Sequence, residues 1–402
     1  MTAARVSAKQ PEALTVAGIR AAITPVLTRL ADSAREREGT RDYSYDEVRE
    51  LREHRITLTG IPVDDGGAGG TVRDVADLVI AIARADSNVA QALRPSFLAA
   101  HTIVGPNDVP NREHILERLR AGDLFTGTGN ERGGPSGGVA TRLYEKDNEF
   151  RIAGEKYYST GGLYAQWFGG SAVDDDGKVV RFTVPVDREG VERLDDFDAI
   201  GQRLTASGTT RLHDVRVEVE EIQRVGDTPP PNPWQGTFAQ LYLAAVEAGI
   251  AAAALDDALW FARTKARPIK HSSADRAVDD PYVRHVVGEI AARANAARAV
   301  VLLAAEAVGQ VLLAPAGELR DLAASAAVNV AQAQYVAAES ALRAAELIFD
   351  VGGGSATDRK YAFDRHWRNA RTIANHNPRN WKVAVAGGYH LVGEEPPTSG
   401  LF

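Results

Sequence analysis

The run Asn375-His376-Asn377-Pro378 places an imidazole and two amides at a forced break in a helical stretch. Proline disfavours helical geometry in the residue before it, so His376 is expected at a helix end, where its ring can turn into a cleft. An imidazole titrates near neutral pH and can give or take a proton, which makes His376 a candidate proton donor or acceptor. The competing reading is a cap on the last helical carbonyls. Polar, Gly-rich stretches run from Thr126 to Gly133, Gly154 to Gly162 and Ile200 to Thr209. Glycine lets a backbone come close to a flat ring and offer its amides, although any one of these stretches also reads as a surface turn.

Other arrangements carry less. Gly134-Pro135-Ser136-Gly137-Gly138 has G-x-S-x-G spacing, but a nucleophile elbow needs a strand before it and a helix after it. The glycine runs Gly66–Gly70 and Gly352–Gly354 lack G-x-G-x-x-G spacing and do not read as a nicotinamide site. His390 is expected to be structural. The nine His form no HExxH-like pair, so no metal site is expected. The basic block Arg365–Arg371 reads as a helix face or as an anion contact with a cofactor phosphate.

These groups sit in a 402-residue chain that is 44% hydrophobic and 25% charged, with a net charge of −8 and no cysteine. That excludes disulfides and thiolate chemistry and disfavours nucleic acid as a partner. No leader peptide or uninterrupted apolar span of about twenty residues is visible, so no membrane helix is expected. The periodicity gives a predominantly α protein with a central β domain. Helices fill residues 1–122, including one from about Asn88 to Ile103 that is entered or broken at Pro95, and Ser44 with Glu47 has capping-box spacing. Strands around Phe150–Ile152, Val179–Val184 and Val215–Val217 occupy 123–228, a size that suits a small barrel. After the break at Thr228–Pro233, long Ala-rich helices fill 235–402 as a bundle.

Helices, then a β unit, then a helix bundle, together with the ordered loops and the Gly352–Phe402 segment, resemble the acyl-CoA dehydrogenase superfamily over almost the whole chain. Asp196-Phe197 ahead of the third loop, Arg267-Pro268, Asp279–Val283 and Arg365-His366-Trp367-Arg368-Asn369-Ala370-Arg371 are most similar to its dibenzothiophene monooxygenase branch. Where the dehydrogenases commonly carry Glu-Gly, this chain has Asn377-Pro378, and an amide cannot strip a proton from carbon.

The resemblance implies a two-component monooxygenase. It would use reduced FMN (FAD being the alternative) supplied by a separate NAD(P)H flavin reductase. With dioxygen it would act through a flavin hydroperoxide on sulfur, or on nitrogen, of a small molecule. It implies His376 and Ser159 at the flavin, with Thr128, Asn130, Thr160 and Phe197 around the ring system. Relatives more often have Trp at the Phe197 position. Arg267, helped by Lys270, would hold the phosphate from a neighbouring subunit, which implies a homotetramer, and the lack of cysteine suits a reducing cytoplasm. The family's further His in the N-terminal helices is missing: Ser96 or Phe97 stands in its region, and His101, about one turn later, is the candidate substitute. The rival is an FAD-dependent acyl-CoA dehydrogenase, for which Glu247 is the one candidate base. A silent scaffold or a hydrolase, without flavin affinity, is a third class.

Overall fold

The computed structural model describes residues 14–131, 138–224 and 230–398, together with Phe402. Most of the G-x-S-x-G segment, the end of the first Gly-rich loop and Thr228-Pro229 lie outside those residues. The N-terminal helices are α1 (Val16–Thr40), α2 (Tyr45–Glu53), α3 (Val72–Ala85), α4 (Ser87–Thr102) and α5 (Arg112–Arg120). The strands are β1 (Phe125–Thr128), β2 (Arg142–Lys146), β3 (Glu149–Lys156), β4 (Trp167–Val173), β5 (Val179–Pro185), β6 (Val191–Arg193), β7 (Thr210–Val217) and β8 (Ile222–Arg224). The remaining helices are α6 (Thr237–Thr264), α7 (Pro281–Leu312), α8 (Leu319–Leu347), α9 (Asp364–Ala374) and α10 (Arg379–Val392).

Local chemistry explains the helix starts. Thr71 and Asp74 cap α3 reciprocally. Asp280 accepts the first amides of α7, whose opening residue is Pro281, a position where the missing N–H costs nothing. Asp86 does the same for α4 and is itself fixed by buried Arg37 at 2.6 Å. The expected Ser44 cap does not form. Ser44 is buried, and its N–H points to the Tyr164 hydroxyl instead. Helix α4 also runs unbroken through Pro95, because packing against α6 and β1 outweighs the lost backbone bond.

The strands follow the order β6-β7-β3-β2-β4-β5-β8, with β1 added in parallel to β4. Among the described residues this is an open mixed sheet rather than the closed barrel expected. The short strands β6 and β8 end it, and its apolar face forms a core of its own around Ile152, Phe168, Phe182 and Val215. The helices on either side of the sheet in sequence share one large core that runs from Ile19 through Leu243 and Ala337 to Phe402. Helices α6 and α7 are long and apolar enough to cross a membrane by length and composition alone, and α6 is mostly buried against its neighbours.

Candidate active site

Helix α4 is the element around which the predicted loops gather. The Ser96 hydroxyl accepts from the Phe125 amide at 2.8 Å and donates to the Phe125 carbonyl at 3.2 Å, which pins β1 to the helix. Gly161 sits so close to the helix that a Cβ would lie 2.3 Å from the Ala92 carbonyl, and its φ of +79° further requires glycine. The second and third loops are laced by backbone bonds from Ser159 to Gly208, Gly161 to Thr205 and Gly162 to Ala206. The first loop joins them through Thr126 Oγ1 to the Thr160 carbonyl at 2.7 Å and Tyr157 N to the Asn130 carbonyl at 3.0 Å. Thr128, Asn130, Ser159, Thr160 and Phe197 therefore belong to one surface. Thr128 and Asn130 are at least partly open to solvent. Phe197 is buried beside exposed Tyr158, whose φ of 63° lies in the left-handed region that a bulky residue rarely adopts.

Ser159 is 1% exposed, and its Oγ accepts a bond from Thr210 at 2.8 Å, leaving its own proton available to donate. The carboxylates nearby are engaged. Glu131 pairs with buried Lys156 and is held down at about 2, because the bonds from Lys156, Thr141 and the Ala140 amide outweigh the upward push of burial. Asp196 accepts from Thr209.

Helix α9 ties the third loop to His376. Asn369 accepts the Gln202 amide at 2.6 Å, and Gly201 packs where a Cβ would meet the Arg368 carbonyl at 2.1 Å. The helix ends at Ala374, and His376 follows in the turn just past it, near the helix end that the sequence placed there. Asn377 is buried and donates through Nδ2 to Gln240 Oε1 of α6. His376 is exposed, and its imidazole is shifted down to about 4, by the crowding of surrounding protein first and then by the positive charge of Arg94. The open face of the residue limits how far that displacement can go. The ring is thus neutral at physiological pH and keeps one N–H to donate.

Arg94 and Gln240 were not singled out from the sequence. Arg94 was detectable as a lone charge inside the apolar run Val89–Phe97. Gln240 lies 137 positions from its partner, with no local signal. Buried polar atoms without a partner occur at several places in the fold, and here they include Arg94 Nε, Gln91 Oε1, Asn377 Oδ1 and both oxygens of Glu247. Glu247 is 1% exposed, and burial raises its carboxyl well above the usual range. It shares a face of α6 with Gln240, about 10 Å further along the axis.

The other candidates lie elsewhere. His101 stacks on Phe238 with ring centroids 3.9 Å apart, at the end of α4 beyond Arg94. Arg267 and Lys270 are exposed past the far end of α6. Thr264 is already about 36 Å along that helix from Gln240, more than the next few residues can span back. In the basic block, Arg365 is committed to Asp257 and Arg368 to Glu38 and Asp364, which supports the helix-face reading there. His390 is bonded to Gln332 at 2.9 Å. Among the described residues no group of three or more His, Asp or Glu could hold a metal ion.

Residues 241–381 match the acyl-CoA dehydrogenase C-terminal domain family. The dibenzothiophene monooxygenase of Mycolicibacterium goodii is 28% identical over 385 residues, which covers 89% of each chain. The probable FMNH2-dependent monooxygenase SfnC of Pseudomonas putida is 27% identical over 378 residues, covering 92% of this chain and 94% of its own. The crystal structure of FMN-bound TdsC from Paenibacillus sp. A11-2 superposes with a TM-score of 0.85 at 24% identity, over 96% of this chain and all of that one. Over 89% or more of its length the chain is similar to proteins named monooxygenases, and its C-terminal helices match the acyl-CoA dehydrogenase family. Its fold is acyl-CoA dehydrogenase-like.

Proposed function

We propose that the protein is a cytoplasmic FMNH2-dependent monooxygenase of the two-component type, divided at residues 1–122, 123–228 and 235–402. It would take reduced FMN from a separate NAD(P)H flavin reductase. When bound, the reduced flavin supplies two electrons and two hydrogens to dioxygen, through the hydroperoxide chemistry that the family resemblance implies. One oxygen atom goes to a sulfur, or a nitrogen, of a small organic substrate and the other leaves as water. The relatives named as monooxygenases support this reading.

One observation carries it. At the position beside His376, Asn377 presents an amide bound to Gln240, while Glu131 and Asp196 of the loops are engaged and Glu247 is buried, its carboxyl raised well above the usual range. Beside the imidazole stands an amide, which cannot remove a proton from carbon, where a carboxylate could. The orphaned atoms of Arg94, Gln91 and Asn377 suit a polar guest that completes their bonding.

Thr128, Asn130 and Thr160 would contact the flavin ring, with Phe197 closing one side. Ser159, anchored by Thr210, would orient its proton toward the reacting edge. His376 would donate its N–H to the oxygen being transferred, and the packed aromatic surroundings would exclude water. Arg267 and Lys270 lie too far along α6 to serve their own chain's site, so the phosphate contact is assigned to a second copy within a homotetramer. Exposed apolar side chains on α7 and α10, such as Tyr282, Leu303, Trp381 and Leu391, are consistent with that assembly.

The test is turnover with chemically reduced FMN in air, without reductase, across sulfides, sulfones, sulfur heterocycles and amines. An oxygenated product is expected. Activity that instead requires bound FAD and an acyl-CoA would overturn the proposal.

A further inference from the structure

A cavity of about 790 Å³ opens where the loop before α3, the end of α4 and the start of α6 meet α7. It is separate from the surface formed by the three loops. Its walls include Val72, Val75, Phe97, Val104, Phe238 and Leu312. Its charges cancel: Arg73 and Glu306 at the lining pair with each other at 2.6 Å. His101 presents a ring parallel to Phe238 within 7°, and burial pushes its pKa down to about 4, so it is neutral under ordinary conditions. A cavity of this size with apolar walls, one flat stacked platform and no net charge selects a neutral, planar organic molecule over an ion.

Phe97 lines its inner wall. Phe97 packs against Tyr242 at 5.7 Å between ring centroids, and the Tyr242 hydroxyl donates to the Ala90 carbonyl at 2.6 Å. Arg94 is on the same face of α4 as His101, two turns nearer to the catalytic loops, and its charge acts on both Tyr242 and His376. The cavity therefore abuts the helix pair that backs the site.

We propose that the cavity is an outer substrate subsite, which holds a neutral, flat molecule such as a sulfur heterocycle against the His101–Phe238 platform before it reaches the flavin. The final step rests on the monooxygenase reading, but binding in the cavity does not require flavin.

Gly309 of α7 lines the cavity, and a Cβ added there meets only Val72, at 3.9 Å. Gly309→Leu thus grows into the space without striking backbone, and replacing a helical glycine leaves α7 at least as stable. Benzothiophene titrated calorimetrically into flavin-free protein is expected to bind the wild type and to bind Gly309→Leu about tenfold or more weakly. FMN affinity and the melting temperature should not change. In turnover with a heteroaromatic sulfur substrate, KM should rise while kcat holds. No benzothiophene binding to the wild type, or equal binding to Gly309→Leu, would overturn the subsite. Failure of the oxygenase reading would look different: benzothiophene binding intact and sensitive to Gly309→Leu, with no oxygen transfer.

Discussion

Two buried polar clusters lie toward opposite ends of α6, and each has a histidine with its pKa lowered to about 4. At the far end Asp257 accepts from Arg365 at 2.6 Å and His366 at 2.8 Å and also pairs with Arg35. At the near end Asn377 holds Gln240, while Arg94, Gln91, Glu247 and Asn377 itself retain polar atoms without partners. Buried polar groups are normally satisfied. The first cluster is complete and locks α1, α6 and α9 together. The second is incomplete, and it adjoins a histidine that is exposed rather than sealed. Completeness, more than the presence of a shifted histidine, separates scaffold from site.

The comparison breaks most visibly at the far end. Asp257→Ala would leave Arg365 and Arg35 with buried, unpaired charge, and a loss of about 3–5 kcal/mol is expected in urea unfolding. A loss below about 1 kcal/mol would mean that the cluster does not hold the helices. At the near end the cost should fall on chemistry. His376→Ala should retain its melting temperature and FMN affinity and lose about 10²–10⁴-fold in oxygen transfer. Unchanged turnover would remove His376 from the mechanism.

The two histidines also differ in acid. His366 is 4% exposed, and its pKa is depressed mainly by burial and then by Arg365. The unfolded chain binds its proton near pH 6.5 and the native protein only near 4, so stability is intact above about 6.5 and falls as pH drops through that window, by at most about 3 kcal/mol. Asp257, held far below the usual carboxylate range, stays ionised throughout. His101, shifted the same way, adds to the loss. His366→Gln should flatten its share of this acid limb in denaturation curves taken from pH 7 to 4, and an unaltered limb would refute the assignment.

A smaller effect is expected from Asn377→Asp. A carboxylate beside His376 favours the imidazolium and should move the acid limb of the activity profile upward by about one pH unit. No displacement would mean that the ring does not sense position 377. The smallest effect belongs to Glu247→Gln. Burial disfavours the charged form of this carboxyl and the amide is close to it in shape, so stability should stay within about 0.5 kcal/mol and oxygen transfer should not change.

Much of the scaffold was legible because its signals are local. Asp280-Pro281 starts α7 and Thr71 caps α3, and the long Ala-rich helices fall within the C-terminal stretch expected to form a bundle. The open sheet was not legible, since closure depends on which strands become edges. Nor was the shared helical core, which joins residues hundreds of positions apart. Of the site, His376 and the convergence of the three loops followed from Pro378, glycine placement and family resemblance. The Asn377–Gln240 pair and the facing of Arg94 depend on helix packing. His101 was expected near substrate; the structure places it on the cavity wall, stacked on Phe238.

The most direct test of an oxygenating site without a carbon-proton base is isotope-labelled dioxygen. Wild type and His376→Ala would be mixed with reduced FMN, labelled dioxygen and a sulfide or sulfur heterocycle, and the product mass measured, alongside an acyl-CoA with an artificial electron acceptor. The account predicts one labelled oxygen atom in the wild-type product, almost none with His376→Ala, and no reduction of the acceptor by acyl-CoA. Acceptor reduction by acyl-CoA that vanishes in Glu247→Gln, with no labelled product, would contradict it.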